Sequence, residues 1–485
     1  MPDTQDRKGL ALILLCAVQF MVVLDIAIVN VALPTIKTAL DFKETDLQWV
    51  INAYTLTFGG LLMLGGRSAD LLGRRRMFLI GLAIFSGASL VCGLATSEAT
   101  LIGARAIQGV GAAIISPAAL SLLMTTFQEG AERNKALGIW GAIAGTGGAA
   151  GVLLGGILTD QLNWSWIFYI NVPVGLLVLA LGPRILRESR IEEGRRSFDL
   201  LGAVLVTSGL SLLVYALVQT VDHSWSSPRT IGMFAGAAVL LAGFVATETR
   251  AHSPLMPLRL FRNRSLAGAN VVGLMLGASI FSMFFLLTLY MQQVLAYSAL
   301  KTGVGYLLVS LVIIVSAATS QALVTRIGVR TVLAVGMGLT AVGLIYFSQI
   351  SVGGSYLVDL APGFILTGVG LGFSFVPVTI AALVGVEQAE AGVASGIINT
   401  SQQVGGALGT AILSTVAFTR VTDYLQSHAP APDLLVRADV DGFSVAFLVG
   451  AALAGLGLLA TLTMVPRGVA PEPAQAEEAP EPVAA

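Results

Sequence analysis

Two charged side chains stand where charge is expensive. Asp25 lies inside FMVVLDIAIVNVALP (20–34), and Arg105 lies inside LIGARAIQGVGAA (101–113); both stretches are otherwise almost wholly uncharged. A charge near the centre of a bilayer costs roughly 3 kcal/mol on insertion scales, so it normally has a partner and a task. A carboxylate and a guanidinium can pair, and the carboxylate can also exchange a proton. Burial disfavours an ionised carboxyl, while a nearby arginine or water favours it. An aspartate whose surroundings alternate can therefore take up a proton in one state and release it in another. Asn30 and Gln108 in the same stretches, and Tyr54 in the run at 48–68, add hydrogen-bonding groups and are candidates to line a substrate cavity. For Asn30, as for Gln19, a bond between helices is an equal reading. A static ion pair pinning two helices is the competing role for Asp25 and Arg105.

Other chemistries lack their residues. Cys16 and Cys92 both sit in apolar runs, which suggests neither a disulfide framework nor a metal cluster. His223, His252 and His428 fall between apolar stretches and make no metal constellation. GTGGAAG (145–151) and GVGLGF (368–373) look like dinucleotide loops, but neither follows a predicted strand, so both are read as helix-packing glycines. No phosphate-binding loop with a Gly-Lys-Ser/Thr ending occurs. The expectation is a protein that is not an enzyme and has no cofactor, no metal, no nucleotide and no nucleic-acid partner.

The elements that position Asp25 and Arg105 follow from composition. The 485 residues are 55% hydrophobic and 11% charged, with mean hydropathy +0.84. A soluble domain carries about 25% charged residues. The chain reads as an all-α polytopic membrane protein with fourteen spans of about 20 residues or more. They are expected near 10–33, 48–68, 77–96, 99–127, 138–159, 165–183, 200–221, 230–249, 266–290, 302–325, 331–350, 357–385, 392–418 and 442–465. The first is too long for a signal-peptide core and is read as a retained span. With the N-terminus inside, 20 Lys and Arg fall in cytoplasmic segments and 6 in external loops. That bias predicts both termini in the cytoplasm. Arginine outnumbers lysine 22 to 5, a composition typical of a high-GC bacterial genome. Counted from the external ends of their spans, Asp25 lies ~12 Å deep, Arg105 ~9 Å and Gln108 ~14 Å, at 1.5 Å per residue. All three share one layer.

The chain also echoes itself. GRSADLLGRRRMFLIG (66–81) resembles QALVTRIGVRTVLAVG (321–336), with Gly73 on Gly328 and Arg75 on Arg330. This suggests two six-helix halves, 1–190 and 266–466, with two helices inserted between them over 191–265. Repeated halves place a substrate site at their interface. The tail, 467–485, is rich in Pro, Ala and Glu and is expected to be disordered.

Six motifs now carry a resemblance. GGRSADLLGRRR (65–76) has Gly66, Asp70, Gly73 and Arg74 in the order of the loop between helices 2 and 3 of the major facilitator superfamily, with Ser68 for the usual Leu and Leu71 for the usual basic residue. LIGARAIQGVGAA is similar to that family's helix 4. WGAIAGTGGAAGVLLGGILTD (140–160) resembles the antiporter motif of helix 5, with Val152 in place of its proline. Gly147, Gly151 and Gly155 fall on one face there, with Gly156 beside them, and small residues let helices approach closely. LDIAIVNVALP (24–34), WSWIFYINVPVG (164–175) and GVASGIINTSQQVGGALGTAI (392–412) resemble the fourteen-helix drug:proton antiporter branch, with Ala27 where Ser or Thr is usual.

The resemblance implies a multidrug efflux transporter of the major facilitator fold, in a bacterial cell membrane and in contact with its lipid. It would exchange a proton, at Asp25 with Arg105, for a small lipophilic substrate. One clear acid in the first-half cavity suggests neutral or singly charged substrates; Asp359, near the twelfth span, is a second acid that could contribute. The resemblance further implies that Asp70 docks on the N-terminus of helix 13 when the cytoplasmic side closes; an ordinary turn-capping aspartate is the competing reading. Export of a metabolite or a self-made antibiotic is the alternative function. A nutrient symporter fits the helix 5 glycines less well. A sensor or scaffold would have no use for an intramembrane Asp25 and Arg105.

Overall fold

The computed structural model describes residues 4–128, 131–189, 199–221, 223, 225–251, 254–386 and 390–467. Fourteen long helices run in chain order. They are α1 (Lys8–Leu40), α2 (Glu44–Leu72), α3 (Arg74–Gly93), α4 (Glu98–Thr126), α5 (Ala131–Gln161), α6 (Trp166–Ile185) and α7 (Leu200–Gln219). They continue with α8 (Pro228–Arg250), α9 (Arg264–Val294), α10 (Ala299–Ile327), α11 (Val329–Phe347), α12 (Tyr356–Leu383), α13 (Gly392–Ser427) and α14 (Leu434–Met464). Thirteen are long and apolar enough to cross a membrane. The other, α5, is 31 residues of glycine-rich sequence at the expected fifth position. Among the described residues no strand occurs. The expected tail beyond its first residue, Arg467, the expected boundary at 190/191 and His252 lie outside the described residues.

Several helices outrun the apolar stretches that announced them. α1 continues through Pro34 to Leu40, and α13 runs on to Ser427. The apolar run ends before these points, but backbone hydrogen bonding does not. In the turns beyond the apolar run of α1, the Thr38 hydroxyl donates to the Thr35 carbonyl at 2.9 Å. Starts are set by caps. Ser97, Asn263 and Ser298 accept backbone N–H bonds in the first turns of α4, α9 and α10, filling donors that a helix cannot satisfy itself.

The α2–α3 and α10–α11 connections each turn on one residue. Gly73 has φ +110° and Gly328 has φ +84°, a region other residues rarely adopt. The two glycines that align in the sequence echo therefore make the same kind of reversal.

Packing groups the helices. α4 packs on α2 and α3, and α1 packs on α5; α9 packs on α13, and α11 on α12. Across the molecule α2 lies against α13, and α5 against α10. α7 and α8 pack on each other, and α7 also touches α2 and α13. Large apolar side chains such as Leu176, Val239 and Leu357 stand mostly exposed on the outer surface, as lipid contact requires. With α5 counted beside the thirteen, fourteen crossings bring both termini to one end, called the terminal end below; the other is the distal end.

Candidate functional site

Asp25 is fully buried, and its two oxygens are enclosed by donors from two helices. Arg105 of α4 donates from Nη1 to Asp25 Oδ2 at 2.6 Å. Gln108, one turn along α4, donates from Nε2 to Asp25 Oδ1 at 2.7 Å. Asn171 of α6 donates from Nδ2 to the same Oδ1 at 2.8 Å. Ser89 of α3 ties the two amides together: its hydroxyl oxygen accepts from Gln108 at 2.7 Å and from Asn171 at 3.3 Å.

Arg105 is held as firmly. Its Nε donates to the Val50 carbonyl of α2 at 2.9 Å, and Nη1 also donates to Gln108 Oε1 at 2.7 Å. Its guanidinium lies over the Tyr54 ring, 4.3 Å from the centroid, with Phe168 at 5.8 Å. The cation is thus satisfied at its edge by oxygens and on its face by an aromatic quadrupole. Cys92 Sγ approaches Gln108 Oε1 at 3.8 Å. The backbone contact that allows this is close: a Cβ on Gly109 would lie 2.4 Å from the Tyr54 carbonyl oxygen.

An ionised Asp25 accepts from all three donors. A protonated Asp25 presents an O–H to a shell made of donors and must displace part of it. Protonation and rearrangement of this shell are therefore linked. Removing one partner of such a pair leaves a buried charge and costs about 3–5 kcal/mol.

Of the residues expected around this site, Asp25, Arg105, Gln108 and Tyr54 come together. Asn30 does not join the shell: its Nδ2 donates to the Ile26 carbonyl of its own helix at 3.0 Å, and its Oδ1 has no partner. Asn171 and Ser89 escaped sequence reasoning. Asn171 stands in WSWIFYINVPVG as a polar residue in an apolar run, which is the one signal it gave; Ser89 gave none.

The loop at the terminal end is pinned by its own charges. Asp70 Oδ1 accepts from Arg74 Nε at 3.1 Å and Nη2 at 2.9 Å, one turn away. Among the described residues its hydrogen bonds go to Arg74, not to α13. Glu188, beyond α6, takes the α3 N-terminus instead, accepting from the backbone N–H groups of Arg75 and Arg76 at 3.0 and 3.1 Å. Gly66 faces Pro117 of α4 with room for a Cβ at 3.4 Å.

The glycines of α5 serve two neighbours. A Cβ on Gly147, Gly151 or Gly155 would meet Val23, Ala27 or Ile28 of α1, at 3.1, 2.8 and 2.8 Å. One on Gly156 would lie 2.7 Å from the Ala299 oxygen of α10. Just beyond, Asp160 accepts from the N–H groups of Ala299 and Leu300 at 3.2 and 2.9 Å. The carboxylate thus caps the start of a helix from across the molecule. More contacts close this distal end. Gln292 donates to the Val31 carbonyl at 2.7 Å, and Gln293 to Glu44 at 3.2 Å. Glu44 also pairs with Lys37. Asp439 of α14, a buried carboxyl absent from the expectations, lies in the field of both. Asp359 is occupied in its own turn, accepting from Ser355 N–H at 2.7 Å and from the Ser351 hydroxyl at 3.1 Å.

Comparison with known proteins gives a consistent picture. The family model described as Major Facilitator Superfamily matches residues 15–410. The chain is 40% identical over 457 residues to the puromycin resistance protein pur8 of Streptomyces alboniger, covering 93% of this chain and 90% of that protein. It is 43% identical over 409 residues to the cephamycin export protein CmcT of Amycolatopsis lactamdurans, covering 84% of each. The fold matches a bacterial homologue of the human lysosomal transporter Spinster with TM-score 0.68, at 12% identity, over 94% of this chain and 98% of that one.

Proposed function

The chain belongs to the Major Facilitator Superfamily and is a multi-pass membrane transporter, not an enzyme; on that premise we propose that it exports lipophilic, neutral or singly charged drugs in exchange for protons. Its relatives are named for resistance to, or export of, puromycin and cephamycin. The observation that carries the coupling is the buried shell around Asp25, where Arg105, Gln108 and Asn171 converge on one carboxylate.

In this reading residues 1–190 and 266–466 are two six-helix halves and α7–α8 are an insertion. The reciprocal packing of α2 on α13 and α5 on α10 supports it, as do the matching turns at Gly73 and Gly328. The halves rock about these contacts. The loop charge bias supports cytoplasmic termini; the distal end is then external and closed, and the molecule faces inward. Asp25 takes a proton when the external side is open. It gives the proton up inside, where the shell of donors closes on the ionised carboxylate. Asp70, released from Arg74, latches on the α13 N-terminus when the cytoplasmic side shuts.

The test is dye efflux from proteoliposomes under an imposed pH gradient. Asp25→Asn keeps the shape and removes the ionisation. Proton-driven accumulation against a gradient should fall to the level of empty vesicles, with the protein still monodisperse. Uphill transport by the variant at the parental rate would make Asp25 a structural pin.

A further inference from the structure

Asn171 is only half used by the shell it belongs to. The residue is 1% exposed. Its Nδ2 is committed to Asp25 and Ser89, but its Oδ1 has no hydrogen-bond partner. A buried acceptor left empty is destabilising. Asn171 also lines a cavity of about 540 Å³, within the range of roughly 300–1,000 Å³ that drug-sized ligands occupy. The cavity lies between α1, α5 and α6. Its other walls are apolar, with Leu12, Phe20 and Leu24 from α1, Ile143 and Leu154 from α5, and Val174 from α6. Ile13 and Ile139, at 63% and 37% exposed, also line it, so the groove opens on the outer surface, where lipid lies.

Resting on the reading of Asp25 as the proton carrier, we infer that this groove is a ligand site reached from the bilayer, and that it takes lipophilic molecules bearing one N–H or O–H donor for Asn171 Oδ1. The walls supply the affinity for an apolar body. Oδ1 itself is covered in this structure, so a ligand's donor reaches it once a neighbouring wall side chain turns aside; the amide then supplies a single polar demand, which a lipid acyl chain cannot meet. Asn171 then reports occupancy to Asp25. A donor on Oδ1 polarises the amide and strengthens its Nδ2–H bond to the carboxylate, which favours the ionised form. The other groups facing Asp25 are Arg105 and Gln108 of α4, with Tyr54 of α2 and Cys92 of α3 behind them, and none of them satisfies Oδ1. Ligand and proton therefore oppose each other through one side chain, as exchange requires.

The full-length protein in lipid nanodiscs tests this with two lipophilic xanthene monocations, read by fluorescence polarisation. Rhodamine 6G carries N–H donors and tetramethylrhodamine methyl ester carries none. One hydrogen bond to the amide should make rhodamine 6G bind about fivefold tighter. Asn171→Leu should erase that preference while leaving the ester bound. Ala17→Trp, placed in the groove wall, should weaken both dyes about tenfold or more, and Ile139→Trp at the exposed mouth repeats the test where folding is under no threat. Equal binding of the two dyes by the parent, or parental binding by both tryptophan variants, overturns the site. Transport separates this from the proton reading. Tryptophan variants that bind and pump normally beside an inactive Asp25→Asn remove the groove alone. An Asp25→Asn that pumps normally beside tryptophan variants that lose both dyes leaves the groove standing and removes only its coupling to the proton.

Discussion

At the scale of the residue, Arg105 is the least replaceable group in the molecule. Its Nε and Nη1 point in different directions, to Val50 and to the Asp25–Gln108 pair, while its flat face rests on Tyr54. Lysine has the charge but neither the fork nor the face. Arg105→Lys should lower efflux at least about tenfold, the equivalent of ~1.4 kcal/mol, with surface expression retained; activity within twofold of the parent would show that charge alone suffices. The Asp25–Arg105 pair was legible in the sequence because ionised groups are rare in apolar runs, so two of them at one depth imply a meeting. Asn171 and Ser89 were not legible in the same way. Amides and hydroxyls are routine at contacts between membrane helices, and nothing in their spacing along the chain says which will turn toward a carboxylate. Asn30 is the converse case: a conspicuous polar residue close to Asp25 that spends its donor on its own helix.

At the scale of the element, two acids stand at opposite ends of the bundle with related tasks. Asp160 closes α5 onto the N-terminus of α10. Asp70, in the last turn of α2, pairs with Arg74 while the α13 N-terminus goes without it. A carboxylate at a helix N-terminus contributes about 0.3–1 kcal/mol, and up to ~2 kcal/mol when partly buried. Asp160→Asn should therefore shift the balance toward the distally open state by about fivefold. Spin labels at Leu162→Cys and Lys301→Cys would report it as a longer distance. Asp70→Asn should impair transport but leave drug binding largely intact, since the shell around Asp25 is remote from it; binding lost together with transport would point to misfolding. The number and order of the helices were readable from hydropathy. Their lengths were not, because α1 and α13 leave the bilayer without ceasing to be helical. The contact of Gly156 with α10 was hidden as well, since glycine spacing reveals that a face is smooth without naming what lies on it.

At the scale of the whole molecule, orientation rests on the arginine-rich loops. Reporter fusions after Arg190 and Arg467 should both read as cytoplasmic; an external signal at Arg467 would mean a miscounted span. On that orientation the closed distal end would be the outer mouth. That end is held by Gln292, Gln293 and Asp160, none of which the sequence marked as a gate, because each contact joins residues far apart in the chain. Only the assembled bundle shows which loops meet.

The shell around Asp25 also has a history in time. Asp25 and Arg105 are 80 residues apart, and Asn171 lies 146 residues beyond Asp25. At a ribosomal pace of about 5–20 residues per second, Asp25 is made ~4–16 s before its guanidinium and longer still before its second amide. During that interval the first helix must rest in the bilayer with an unmatched carboxyl, neutralised by a proton or sheltered at the insertion machinery. The motif proposed to drive exchange in the finished transporter is thus a liability in the nascent one. Arg105→Leu should prolong that exposure indefinitely and shorten the protein's half-life in a pulse-chase. Adding Asp25→Asn to the same chain should restore much of it, since an amide needs no counter-ion; equal half-lives for the single and double variants would show that the cell is indifferent to the unpaired acid.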